Sequence, residues 1–139
     1  MKYSVIGLIA ILMSVANCIS SGIARPTSLT TVELSENNFS IVETGVSGEA
    51  TMGVLLGFAL PMGASATTLG VAQITGERDL QKAALDNLWK NFEAKNGAAK
   101  ENSYSLINIT NDITAANWFG FYATQTVTVR ADVIEFYDE

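Results

Sequence analysis

The chain has 139 residues, 48% hydrophobic and 16% charged, with 14 Asp+Glu against 8 Lys+Arg, a net charge of -6, one Cys and no His. So apolar and sparsely charged a chain is not a disordered one, one cysteine cannot staple a small disulfide scaffold, and a net negative chain lacks the clustered Lys/Arg surface that nucleic acid requires. Without histidine, Ser-His-Asp and Cys-His catalysis and His-ligated zinc are excluded.

The first residues read as an export leader, with Lys2 as its positive start and Val5 to Met13 as a nine-residue apolar run. That run is too short to span a bilayer as a helix, which needs about 20 residues. Val15-Ala16-Asn17-Cys18 then resembles the lipobox of bacterial lipoproteins, with Asn17 where Gly, Ala or Ser is usual. The resemblance implies that residues 1–17 are a lipoprotein signal peptide and that Cys18 is the lipidation site. Two or three acyl chains at that residue would anchor the protein stably to a membrane. Ile19-Ser20-Ser21 carries no Asp, which resembles outer-membrane lipoproteins and implies a place in the cell envelope, on the outer membrane facing the periplasm. The alternative is an ordinary secretory signal cut after Ala24, with Gly22 and Ala24 as the small residues, leaving a secreted or periplasmic soluble protein.

Ser20 to Thr31 is Ser/Thr-rich, contains Arg25-Pro26 and has no hydrophobic period. Residues 18–31 are therefore expected to be a flexible tether, which fully extended could hold a domain roughly 30 Å from the lipid. Residues 32–139 are enough for one core, so a single α+β domain is expected there. Val32-Glu33-Leu34 and Phe39 to Val46 read as strands separated by a polar turn at Ser35 to Asn38. Gly45 and Gly48 point to a bulge or a close approach of backbone.

The 27 residues between Glu49 and Glu77 contain no charge and hold Gly53, Gly57, Gly63, Gly70 and Gly76. A membrane-active or self-assembling segment is one reading of residues 50–76, since Gly53 and Gly57 have the GxxxG spacing of close helix packing in lipid. The other is a buried strand or short helix over Met52 to Leu60, a flexible loop, and a strand near Leu69 to Ile74. Pro61 and several hydroxyls break the apolar stretch, which favours the second.

Glu77 to Lys95 is the clearest helix. Leu80, Ala84, Leu88 and Phe92 fall four apart, widened by Ala83, Leu85 and Trp89, while Arg78, Lys82, Asp86, Lys90 and Glu93 fill the other face. Glu77 and Asp79 are expected in the first turn, and Gly97 supplies a stop. Two strands follow: Leu106 to Ile113, with Ile107, Ile109 and Ile113 expected on one face, and Phe121 to Tyr137. In the last, Val127, Val129, Ala131 and Val133 alternate with Thr126, Thr128, Arg130 and Asp132. The parity changes at Ile134 and Phe136, which predicts a bulge or a new packing partner. Asn117 to Gly120 is the hairpin connection, and the aromatics of Phe119 to Tyr122 are expected to pack on the sheet; exposed, they would offer a contact surface.

Leu34 to Phe39, Val46 to Ala50, Leu106 to Ile109, Phe119-Gly120-Phe121-Tyr122 and Val127 to Phe136 resemble a family of small bacterial lipoproteins whose domain has no assigned function. The order of cysteine, strands, Gly-rich segment, helix and aromatic-glycine turn is also similar to the TRL-like lipoproteins. These are fold-forming residues and imply no catalytic set. The chain departs from the pattern in the length of Pro61 to Thr75 and in Asn17.

No nucleophile motif or phosphate loop is present, and no two acids are placed together by the pattern, so a His-free hydrolase built on carboxylates is the remote enzymatic alternative. Asn108, Thr110, Asn111 and Asp112 cluster oxygens without the alternating loop and distal Glu of a calcium site, so no metal and no cofactor is assigned. The expectation is an α+β fold, a mainly antiparallel sheet of about four to five strands covered by one amphipathic helix. The expected function is that of a non-enzymatic envelope lipoprotein with a binding or structural role. Its partners would be a membrane, reached through the lipid anchor, and an unspecified protein, with no nucleic acid.

Overall fold

The computed structural model describes residues 19–20, 28–29, 38–62, 65–98 and 103–137. In chain order the elements are β1 (Ile19–Ser20), β2 (Ser28–Leu29), β3 (Phe39–Leu55), β4 (Phe58–Met62), β5 (Ser65–Gly70), β6 (Ala72–Thr75), α1 (Leu80–Asn96), β7 (Tyr104–Trp118) and β8 (Tyr122–Phe136). They form a five-stranded sheet of order β2-β7-β8-β3-β6 and a three-stranded sheet of order β1-β5-β4. Every pairing is antiparallel. The expected α+β layout of an antiparallel sheet with one helix is the observed one, and the second sheet is an addition to it.

Alternation along β8 sets the layers. Ala123, Gln125, Val127, Val129, Ala131 and Val133 are buried on one face, and the register sets Val54, Met52, Ala50, Gly48 and Val46 of β3 beside the first five. Helix α1 covers one end of this face with Leu80, Ala83, Ala84, Leu88 and Phe92, the stripe expected from spacing. The small sheet covers the other end, where the buried Thr68 hydroxyl donates to Gln125 Oε1 at 2.6 Å. Phe92 makes edge-on ring contacts with Trp89 at 5.9 Å and Tyr104 at 5.3 Å, which closes the core beneath the last turns of the helix.

The helix starts later than expected. Asp79 is its N-cap, accepting from the Lys82 backbone N–H at 3.0 Å, and Glu77 precedes it, so neither acid lies in the first turn. Gly97 ends the helix at φ +86 with its N–H on the Glu93 carbonyl. Asn87 and Asn91 donate across to the carbonyls of Glu49 and Ser47, at 2.7 and 2.8 Å. The match is one of repeat lengths: four residues of helix advance about 6 Å and two residues of strand nearly 7 Å, so successive helical turns meet alternate carbonyls.

Several expectations are corrected. Phe39 to Val46 is only the first half of a single 17-residue strand, β3, which runs through Met52 to Leu55. The flexible loop expected between Leu60 and Leu69 is largely strand, because β4 and β5 pair from Phe58–Leu69 to Met62–Ser65, and the strand expected near Leu69 to Ile74 is divided between the end of β5 and β6, which pairs with the end of β3. Gly53 therefore lies in a strand, and the GxxxG spacing is not a helix surface. Ile107 is separated from Ile109 and Ile113 by a bulge at which Asn108 has φ +53. Ile109 and Ile113 pack against the core, whereas Ile107 is buried with Ile134 on the reverse face. The parity change at Ile134 is thus a change of face, with the register breaks in β3 and β7 and none in β8. Of the 18–31 segment expected as a tether, the four described residues are all strand-paired, Ile19 and Ser20 with β5 and Ser28 and Leu29 with β7. The expected strand over Val32 to Leu34 lies outside the described residues.

The two glycines singled out in β3 serve different ends. Gly45 takes φ +67 at the register break, with open space where a side chain would be. Gly48 lets α1 lie against the sheet: a Cβ there would strike the Ala84 carbonyl and the Leu88 backbone. Gly48→Ala should therefore lose on the order of 3 kcal/mol, since backbone must move. Gly45→Ala should lose only about 1 kcal/mol, for the left-handed conformation. Urea unfolding of the two variants checks the order, and an equal loss would place the helix–sheet contact elsewhere.

Candidate functional site

Sequence reasoning places one functional residue, Cys18, and it lies outside the described residues. The structure offers a second candidate, the end of the molecule where β3 stops and the β7–β8 hairpin turns. Leu56 N–H donates to the Phe121 carbonyl at 2.8 Å, and Val71 N–H to the Leu55 carbonyl at 3.1 Å, so three chain segments meet at this tip. Phe58 of β4 joins them: its ring lies against Gly120, where a Cβ would come within 2.8 Å of it. The tip exposes large apolar groups, Trp118 at 65%, Phe119 at 96% and Phe121 at 69%, with Leu55, Leu56, Phe58 and Val71 also exposed. Of the turn's aromatics only Tyr122 is half-buried, so the expectation that they pack on the sheet is not met.

The turn is strained as well as exposed. Phe121 N–H closes on the Trp118 carbonyl at 2.9 Å around Phe119 and Gly120, whose φ values are +49 and +76. Two positive φ values are what a type I′ turn demands, and Asn or Gly is the residue that takes them without penalty. Phenylalanine in that conformation costs about 1–2 kcal/mol. Leu56 repeats the pattern at φ +48. Two bulky apolar residues are thus held in a conformation they disfavour, in positions where they meet solvent.

Charge stops short of the tip. Register sets Glu49 of β3 and Asp112 of β7 on either side of Thr128. Beyond that row the three strands carry Thr51, Thr126 and Thr114, then Gly53, Thr124 and Ala116, then Leu55, Tyr122 and Trp118. The 27 uncharged residues before Glu77 and the 17 between Asp112 and Arg130 therefore make one uncharged half. From the Thr128 row to the Tyr122 row is about 20 Å of strand. The second run passes unnoticed in sequence because it is short and rich in threonine; its meaning comes from being paired with the first.

The small sheet that carries Phe58 is fastened by an amide. Asn117 accepts from the Ala59 N–H at 2.6 Å through Oδ1 and donates to the Ala59 carbonyl at 2.8 Å through Nδ2, acting as a strand partner for one residue. Elsewhere the acids hold the fold. Glu43 accepts from Lys95 Nζ at 2.8 Å and Asn96 Nδ2 at 2.6 Å, and these hydrogen bonds hold its carboxyl below the ordinary value of 4.5. Asp132 accepts from Gly45 N–H and Asn108 Nδ2, each at 2.8 Å, securing two bulges. The oxygens of Asn108 to Asp112 do not converge: Thr110 and Asp112 share the outer face with Arg130 and Thr128, while Asn111 is buried on the core face beside Val129. Among the described residues no group of three or more acids and cysteines could hold a metal ion, and no helix is long and apolar enough to cross a membrane.

The described residues define an antiparallel β-sheet protein with one helix on the face the sheet buries, and its exposed feature is an uncharged aromatic tip. The chain belongs to DUF6567, a family of unknown function, which it matches over residues 1–138. No curated protein and no solved structure matches it.

Two outcomes follow. Asn117→Ala should leave the main sheet folded but loosen β4 by about 1 kcal/mol, seen as roughly five-fold faster exchange of the Ala59 amide; unchanged exchange would mean the amide pair holds nothing. Glu43 titrates below its unfolded value, so its contribution is complete above about pH 4.5 and disappears as pH falls through the lower folded value. A carbon-detected titration should place its midpoint below 4.5, and Lys95→Met should bring it back toward that value.

Proposed function

We propose that the protein is a lipid-anchored protein of the cell envelope, held by acyl chains on Cys18, that works by binding or attachment and not by catalysis. The observation that carries this reading is Val15-Ala16-Asn17-Cys18 behind an uncharged nine-residue apolar run, in a chain with no other thiol. The family match begins at residue 1 and so takes in this leader. The similarity in layout to TRL-like lipoproteins points the same way, and the absence of Asp after the cysteine favours the outer membrane, facing the periplasm. Support for a non-catalytic role comes from the acids themselves. Glu43, Asp79, Asp86 and Asp132 each hold a fold contact, and Glu49 accepts from Thr128 at 3.3 Å.

The test is the mass of the N-terminal peptide from protein purified out of membranes. The expected peptide begins at Cys18 and carries diacylglyceryl and an N-linked acyl chain, and Cys18→Ser should abolish both the lipid and the cleavage. A lipid-free peptide beginning near Arg25 would overturn the anchor and make the protein a soluble exported one.

A further inference from the structure

We propose that the aromatic tip is a second membrane contact: Trp118, Phe119 and Phe121, with Leu56 and Phe58, enter the headgroup–acyl boundary of the bilayer to which Cys18 is anchored, so that the domain stands tip-down on the membrane. The inference rests on the lipid-anchor reading for the identity of the membrane, and on three features of the fold for the contact itself.

Chain direction is the first. β1 begins at Ile19, one peptide bond after Cys18, and pairs antiparallel with β5 as Ile19–Gly70 and Ser20–Leu69. The N-terminal end of β1 therefore lies at the C-terminal end of β5, next to Val71, whose N–H is bonded to Leu55. Leu55 in turn pairs with Tyr122. The strand that follows the cysteine starts at the tip and runs away from it. Consecutive Cα atoms are about 3.8 Å apart, so a lipid attached to the residue before Ile19 is attached within one residue of the tip.

Chemistry is the second. Trp settles at a membrane–water interface with its ring in apolar surroundings and its N–H toward headgroups, while Phe and Leu bury on the acyl side of that boundary. Charge would prevent this, and among the described residues the three paired strands carry none from the tip back to the row of Glu49 and Asp112. Threonine hydroxyls occupy the intervening rows.

Conformation is the third. Phe119 and Leu56 hold positive φ while remaining exposed. A chain selected for folding alone would place Asn or Gly there, and the strain is accounted for if those side chains gain their burial in lipid.

The test uses mature protein reconstituted into vesicles of phosphatidylethanolamine and phosphatidylglycerol, with Trp89→Phe leaving Trp118 as the reporter. Trp118 emission should be quenched severalfold more by lipids labelled with a spin probe near the headgroup than by probes deep in the chain, and should be shielded from acrylamide in water. If Trp89→Phe does not fold, the difference between wild type and Trp118→Phe reads the same quantity. Phe119→Asn should raise the thermal midpoint and cut the lipid quenching of Trp118 at least threefold. Vesicle-bound protein whose Trp118 is quenched by acrylamide and untouched by the lipid probes would overturn the proposal. So would a Trp118 shielded from both, which is the mark of a second copy or a protein partner on the tip. The N-terminal mass of the same sample reads the anchor separately: lipid on Cys18 with a solvated Trp118 sinks the tip alone, and an unlipidated protein whose Trp118 still meets lipid sinks the anchor alone.

Discussion

The length of β8 is the constraint on which the architecture turns. Its residues alternate without interruption from Ala123 to Val133, and the paired stretches of β3 and β7 extend the same face, which must be covered along about 35 Å of strand. Helix α1 has 17 residues, a length of about 25 Å, and cannot cover it. The β4–β5 hairpin takes the remainder. That is why the described fold, with its one helix, needs a second sheet, and why Gln125, buried where the helix no longer reaches, finds the Thr68 hydroxyl above it.

The same register sorts charge. Uncharged runs separated by the 36 residues from Glu77 to Asp112 become one continuous half of the described fold because Glu49 and Asp112 both sit against Thr128. The fold gathers into that half the features that give it no stability: exposed rings, left-handed Leu56 and Phe119, and a turn closed by a single backbone hydrogen bond. In the charged half the reverse holds, with Glu43, Asp132 and Asp79 each ending a hydrogen bond that fixes an element. One end is built to hold its shape and the other to meet something.

What could be read in the sequence follows from what local patterns encode. The α1 stripe and the alternation of β8 were legible since each depends on spacing within one element, and Gly45 and Gly48 announced a bulge and a close approach. The β4–β5 hairpin was hidden because Pro61 and the clustered small residues look like a loop, and its pairing depends on side chains of other elements, Asn117 and Gln125. The face of Ile107 was misread because a bulge at a non-glycine residue, Asn108, leaves no mark in the alternation. The tip was partly visible as an aromatic-glycine turn, but exposure is a tertiary property, and only the register shows that nothing in the described fold lies over Phe119.

Asn87 and Asn91 have a consequence beyond seating the helix. β3 is the longest described strand, and on the side away from β8 only its last residues pair with another described strand, β6. A bare strand margin of that length is a template onto which any extended peptide can add itself by main-chain hydrogen bonds. The two amides occupy alternate carbonyls along that margin, and Lys95 and Asn96 take up the Glu43 side chain further along it. Recruitment by strand addition, and runaway assembly into fibres by the same route, would have to displace these side chains from the middle of β3.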